Sequence, residues 1–167
     1  DFTLAARISG DELLEGGNKI EDVQKMIPVL EKAGLAYFNV QAGWHESPIP
    51  LVQQWVPEGA FVYLGEAIKK VATVPVAVGY RLKDPVMAEE IVAAGKVDMI
   101  AMARQLIADA DWANKAKAGR LDDIRKCITC CRCMDDNFVG VPITCSVNTN
   151  LEGLPEAPVE KPKKVMV

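Results

Sequence analysis

The stretch Val74-Pro75-Val76-Ala77-Val78-Gly79-Tyr80-Arg81-Leu82-Lys83-Asp84-Pro85 decides the fold. Residues 74–78 are a short apolar run rich in β-branched side chains, and they read as a buried strand. Asp84-Pro85 reads as a helix start. The aspartate can cap free amides, and proline suits the first helical position, where no N–H is needed. Between them, Gly79-Tyr80-Arg81 forms a turn. Strand, turn and helix make one βα unit, whose helix is expected to reach about Ala94 and to be capped by Gly95.

The unit repeats on both sides. Residues 36–40 read as a strand, residues 43–57 as a long loop rich in Gly and Pro, and Phe61, Leu64, Ile68 and Val71 mark a helix. Further upstream, residues 2–7 form an apolar run that ends at Ser9-Gly10-Asp11. Asn18 is expected to cap the next helix, whose apolar face is Ile20, Val23, Met26, Ile27, Leu30 and Ala33. Glu21 and Asp22 fall in its first turn, where the helix dipole favours anions, and Gly34 can close it. Pro28 predicts a kink or an early end. Downstream, residues 97–102 read as a fourth strand, with short helical segments to about Gly119. Strands that are continuous apolar runs are buried on both faces, as in a parallel sheet, so the class is α/β. Two architectures fit: an open doubly wound sheet, or part of a (β/α)8 barrel. Four strands complete the first and make half of the second.

Half of the 167 residues are hydrophobic and 25% are charged, which excludes a disordered or collagen-like chain. Lys plus Arg total 19 against 23 Asp plus Glu, a net charge of −4. That balance predicts no nucleic-acid partner. No apolar run approaches the ~20 residues of a membrane span. The opening Asp-Phe-Thr-Leu has no initiator Met and no signal-peptide pattern, and the expectation is a piece from inside a longer chain.

Two counts stand out: one histidine, His45, and five cysteines, all between Cys127 and Cys145. Tight clustering reads as a metal or cluster site in a reducing, cytoplasmic compartment rather than a disulfide framework. Cys127, Cys130 and Cys133 form C-x2-C-x2-C, and Cys145 follows after eleven residues. Four thiolates suit an iron–sulfur cluster or zinc. Zinc more often uses two separated C-x2-C hooks, whereas one loop with three evenly spaced cysteines wraps three corners of a cubane. Zinc, free thiols and a disulfide stay as alternatives, and Cys131 is the odd cysteine.

Other candidates follow the strands. Gly79-Tyr80-Arg81 and Ala103-Arg104 follow the third and fourth, where the last βα loops of a barrel often bind phosphate. The glycine amide could approach an anion and the arginines could neutralise it; the plainer reading is two surface arginines. Arg7 ends the first strand, as a rim cation or as half of a salt bridge. His45 lies in Gly43-Trp44-His45-Glu46, in a loop of the kind that carries chemistry, or is simply solvated. Trp44 and Trp55 read as loop packing, and Met26, Met87, Met99 and Met102 as core.

Five co-linear stretches resemble one family. They are Arg7-Ile8-Ser9-Gly10-Asp11-Glu12, Gly43-Trp44-His45-Glu46, Tyr80-Arg81-Leu82-Lys83-Asp84-Pro85, Met102-Ala103-Arg104, and the segment from Cys127 to Cys145. In order and separation they are similar to the iron–sulfur flavoenzyme branch of the old yellow enzyme-like proteins, which includes 2,4-dienoyl-CoA reductases, anaerobic enoate reductases and trimethylamine dehydrogenases.

The resemblance implies an FMN-binding (β/α)8 barrel, of which residues 1–126 are the C-terminal half (strands five to eight). A 4Fe–4S segment at 127–150, a linker at 151–163, and a truncated first strand of an FAD-binding domain at 164–167 would follow. Arg7 would face the pyrimidine edge of FMN. Gly79, Tyr80, Arg81, Ala103 and Arg104 would hold its phosphate, and Cys127, Cys130, Cys133 and Cys145 would bind the cluster. His45 would belong to a proton-delivery pair. The implied activity is NAD(P)H-dependent reduction of an activated C=C bond in an enoate or enoyl-CoA, with FAD in the full-length enzyme. The implied partners are that substrate, the rest of the barrel and the FAD/NAD(P) domain, with a homo-oligomer allowed and no membrane. The C-x2-C-x2-C spacing is closer to trimethylamine dehydrogenases, while Gly-Trp-His-Glu is closer to enoyl reductases. C–N oxidation by an amine dehydrogenase therefore stands as the alternative on the same fold. A non-catalytic electron-transfer or zinc module is the alternative of another class.

Overall fold

The computed structural model describes residues 2–44 and 46–151. Its centre is a parallel sheet of four strands: β1 (Ala5–Ser9), β2 (Tyr37–Gln41), β3 (Val76–Val78) and β4 (Met99–Ile100). The spatial order is β1-β2-β3-β4, with Ala5 beside Tyr37, Phe38 beside Val76 and Ala77 beside Met99. Each described strand lies next to its predecessor. A doubly wound sheet reverses its strand order at a switch point, and these four strands show no reversal. The crossovers carry α1 (Ile20–Lys32), α2 (Val62–Lys69) and α3 (Pro85–Ala93). After β4 come α4 (Arg104–Ala108), α5 (Trp112–Lys117), a 3-10 turn at Leu121–Asp123, and α6 (Arg132–Phe138). No described helix is long and apolar enough to cross a membrane.

The helices bury their apolar stripes on one face of the sheet. Val23 and Ile27 of α1 and Leu64 and Ile68 of α2 pack with Phe38, Val40, Val76 and Val78. Burying each such side chain contributes about 1.5–3 kcal/mol. Alternation then turns Tyr37, Asn39 and Gln41 to the opposite, partly open face. Gly65 permits the closest approach of α2. A Cβ there would lie 2.8 Å from both Val78 Cβ and Val97 Cγ1, so a larger residue would push the helix off the sheet.

Asp84 caps α3 as expected, accepting from the amides of Val86 (2.9 Å) and Met87 (3.3 Å). Gly34 and Gly95 take the left-handed conformation just beyond α1 and α3. Several details differ from the sequence expectation. The cap of α1 is Lys19, because Asn18 is held by Glu12, with its amide at 2.8 Å and its carboxamide at 3.0 Å. Pro28 neither ends nor shortens α1. It lies on the solvent side, where water can reach the carbonyl left unpaired by its missing N–H. The first strand starts at Ala5, and Phe2 and Leu4 are exposed. The fourth shrinks to Met99–Ile100, because the Asp98 carboxylate, instead of the ladder, takes the Val76 amide at 2.9 Å. Met26 and Met99 are exposed rather than in the core, as are Trp44 and Trp55.

Candidate functional site

The carboxyl ends of the strands gather the predicted arginines. The Val78 carbonyl accepts from the Ala101 amide at 2.8 Å, which sets the turn after β3 beside the turn after β4. A Cβ at Gly79 would meet the Ala101 carbonyl oxygen at 3.0 Å, so glycine lets the two turns touch. Tyr80 and Arg81 are both left-handed, with φ of 71° and 52°. That conformation is costly for non-glycine residues and is found at ligand clamps. Arg81 Nη1 donates to the Gln53 carbonyl (3.3 Å), and Arg104 Nη1 donates to the neighbouring Val52 carbonyl (3.0 Å). The two guanidiniums thus meet on one stretch of the β2–α2 loop. Arg81 Nε is a buried donor with no hydrogen-bond partner among the described residues. Leaving such a donor unpaired costs about 1–3 kcal/mol, and an anion at this position would remove that cost.

Tyr80 ties the site to the end of β2 and to Phe61. Its hydroxyl donates to the Ala42 carbonyl (2.9 Å), and its ring meets Phe61 edge-on at 5.5 Å. Burial pushes the phenol pKa up, against the opposing pull of the Arg7 and Arg104 charges. Arg7 lies on β1 between the core-packed Ala6 and Ile8, so it points to the opposite, open face of the sheet. His45 lies outside the described residues. Its neighbours Gly43 and Trp44 follow β2. Ser47 Oγ accepts from the Trp44 amide (2.8 Å) and donates to the Glu12 carbonyl (2.6 Å), tying this loop to the one after β1.

The cysteines form a second centre beside the first. Cys127, Cys130, Cys131, Cys133 and Cys145 line one small cavity together with Arg104, Ile107 and Ser146. Two left-handed residues, Thr129 (φ 59°) and Cys131 (φ 61°), flank Cys130 and wind the loop tightly. Asp136 closes the eleven-residue excursion to Cys145. It is 3% exposed, accepts from the Thr144 amide at 2.9 Å and from the Thr144 hydroxyl, and pairs with Arg132 at 3.1 Å. The Thr144 hydroxyl and amide hold its carboxyl below the usual range. The Ser146 hydroxyl and the Arg132 amide pull the Cys130 thiol down, whereas burial and then the neighbouring Cys127 push Cys133 up. Among the described residues no three His, Cys, Asp or Glu side chains converge on a position for a single metal ion. Cys131 lines the same cavity but has its own contacts. Its Sγ receives Arg104 Nη1 at 3.7 Å and lies 3.8 Å from the Val52 carbonyl.

Several residues that support this site have no role in the sequence reading. Gln105 is 3% exposed and bonds the backbone at Arg125 and Cys127. Lys83 donates to the Cys127 carbonyl at 3.0 Å. Asp109, 2% exposed, takes the Arg125 amide and the Lys115 ammonium. Polar residues in a short helix leave no periodic signal; the one clue was a glutamine beside Arg104 in an otherwise apolar turn.

Residues 1–123 match the NADH:flavin oxidoreductase / NADH oxidase family. The chain is 40% identical to the NADH oxidase of Thermoanaerobacter brockii, over 100% of this chain and 27% of that protein. It resembles the solved structure of a 2-naphthoyl-CoA reductase–2-naphthoyl-CoA complex with a TM-score of 0.84 and 31% identity, over 88% of this chain and 23% of that one. It also resembles histamine dehydrogenase from Rhizobium sp. 4-9 with a TM-score of 0.78 and 27% identity, over 90% of this chain and 22% of that one. The chain thus spans about a quarter of the length of the relatives it matches. With paired arginines at the strand ends of a parallel α/β sheet, and with sequence and fold matched together, the chain belongs to the NADH:flavin oxidoreductase / NADH oxidase family, oxidoreductases of the FMN-dependent, TIM-barrel type.

Proposed function

We propose that residues 1–126 are the C-terminal half of an FMN-binding (β/α)8 barrel, and that the cysteine segment holds a 4Fe–4S cluster in a longer NAD(P)H-dependent reductase of activated C=C bonds. The observation that carries this is the buried, unpartnered Arg81 Nε, set with Arg104 at the strand ends beside a cavity lined by thiols. The sequential strand order and the helices on one face of the sheet support an arc of a barrel.

The residues fit both groups. Arg81, Arg104 and the Gly79 turn would hold the FMN phosphate, with Tyr80 and Ala103 beside them and Arg7 at the ring's pyrimidine edge. Cys127, Cys130, Cys133 and Cys145 would ligate the cluster. A single zinc would draw its sulfurs to within about 3.8 Å of one another, given Zn–S bonds near 2.3 Å. Three cysteines spaced two residues apart, with a fourth beyond, fit the corners of a cubane better. Bound FMN would supply hydride chemistry, and the cluster a one-electron relay from an FAD/NAD(P) domain. The chain's own part is to fix these groups, to keep a cation facing the flavin edge, and to hold on His45 the proton for the second carbon of the substrate.

An enoate or (di)enoyl-CoA is the proposed substrate, and the likeness to a naphthoyl-CoA reductase supports an acyl-CoA. A second reading, oxidation of an amine C–N bond, is favoured by the C-x2-C-x2-C spacing and by the likeness to histamine dehydrogenase. The test is anaerobic purification of the full-length protein, with flavin, iron and sulfide assays and turnover on enoyl-CoA thioesters and on amines. FMN, iron and sulfide with NAD(P)H-dependent C=C reduction are expected. His45→Ala should slow that turnover ~100-fold or more while flavin reduction by NAD(P)H is kept. Colourless protein with stoichiometric zinc would overturn the cluster, and amine turnover alone would favour the second reading.

A further inference from the structure

We propose that Gln105 is the positioning residue for Cys127: its side chain anchors the first thiol of the cysteine segment to the arginine end of the barrel. The inference rests on the 4Fe–4S reading above.

Gln105 sits in the first turn of α4, next in sequence to Arg104. Its carboxamide is buried, at 3% exposure, and is used at both ends. Nε2 donates to the Arg125 carbonyl at 2.9 Å, and Oε1 accepts from the Cys127 amide at 2.9 Å. The side chain therefore pairs with the backbone at alternate positions, as a neighbouring strand would. Only a glutamine satisfies both groups at this reach. Glutamate lacks the donor, lysine lacks the acceptor, methionine lacks both, and asparagine is one methylene short. The other side of the same residue is held too, since Lys83 Nζ donates to the Cys127 carbonyl at 3.0 Å and pairs with Glu58 at 3.1 Å.

With its N–H and C=O both fixed, Cys127 has only its thiol left to aim at the cavity. Cys130, by contrast, is exposed and rides on a loop with left-handed residues on either side. A short helix thus joins two centres. Arg104 reaches the phosphate side, Gln105 holds Cys127, and the Ile107 carbonyl accepts from Asn148 at 2.9 Å, beyond the last cysteine. Groups that orient a metal ligand typically change metal retention ~10–100-fold when removed.

The test uses anaerobically purified full-length protein and follows iron release to a chelator, together with the electron paramagnetic resonance spectrum of the reduced cluster. Gln105→Met, which keeps the volume and loses both bonds, should release iron ~10–100-fold faster than wild type and shift the spectrum. Gln105→Glu, which keeps the acceptor for the Cys127 amide, should fall between the two. Equal release rates and an unchanged spectrum in Gln105→Met would overturn the proposal. If that variant is insoluble, Gln105→Glu decides alone, and wild-type release and spectrum there would overturn it. Wild-type protein without iron and sulfide would instead defeat the 4Fe–4S reading itself.

Discussion

Arg81 holds a buried hydrogen-bond donor that none of the described residues takes. Its Nη1 has the Gln53 carbonyl, yet its Nε has no partner among the described residues. If an anionic group takes that donor, Arg81→Ala in the full-length apoprotein should weaken FMN binding by about 1.5–3 kcal/mol, the worth of a hydrogen bond to a charged group. That is roughly a tenfold to 100-fold rise in the Kd read by flavin fluorescence titration. Unchanged affinity would remove Arg81 from the phosphate site. The sequence indicated this arginine through its place after an apolar run. It could not indicate Gln105 or Lys83, whose roles depend on which backbone atoms fold against them across some twenty to forty residues.

Local chemistry was most legible where an element begins or ends. Asp84-Pro85 and the glycines after α1 and α3 do what their types predict, because caps depend on the few residues beside them. Asp84→Ala should therefore cost about 1 kcal/mol, seen as a lower urea midpoint, and Asp84→Ser should recover most of it. No change in midpoint would mean that neither the cap nor the ion pair with Lys126 (3.2 Å) contributes to stability. The misreadings have a common source in distant partners. Asn18 looked like a cap, but Glu12, six residues earlier in the same loop, takes it. The fourth strand looked six residues long, but the Asp98 side chain replaces one rung of its ladder. Met26 and Met99 fit an apolar pattern that does not say how far the packed face extends.

At the scale of the molecule, Asp109 helps Gln105 hold the backbone at Arg125, on the approach to the cysteine segment. Burial works to raise its carboxyl pKa, yet the Lys115 ammonium and the amides of Arg125 and Asp111 together hold it below the ordinary value. A folded pKa below the unfolded one adds stability that is fully present above the unfolded pKa and fades as pH falls through the folded pKa. Asp109→Asn should thus cost about 2 kcal/mol at neutral pH. The gap from wild type should shrink once pH falls below about 4, and denaturant titrations at several pH values would read it. A gap independent of pH would mean that the carboxylate charge plays no part. The strands read as buried on both faces, yet in β2 only Phe38 and Val40 are fully buried, so the other face stays partly open, and Arg7 of β1 lies on that face.

The side-by-side order of the strands has a consequence for biosynthesis. Because each strand pairs with the one made just before it, the growing chain can lay down the sheet as it leaves the ribosome. Arg81 and Arg104 emerge before any of the five cysteines. On the proposed reading, the arginines that would hold the phosphate are made first, and iron delivery would act later, on a nascent chain that already carries Gln105.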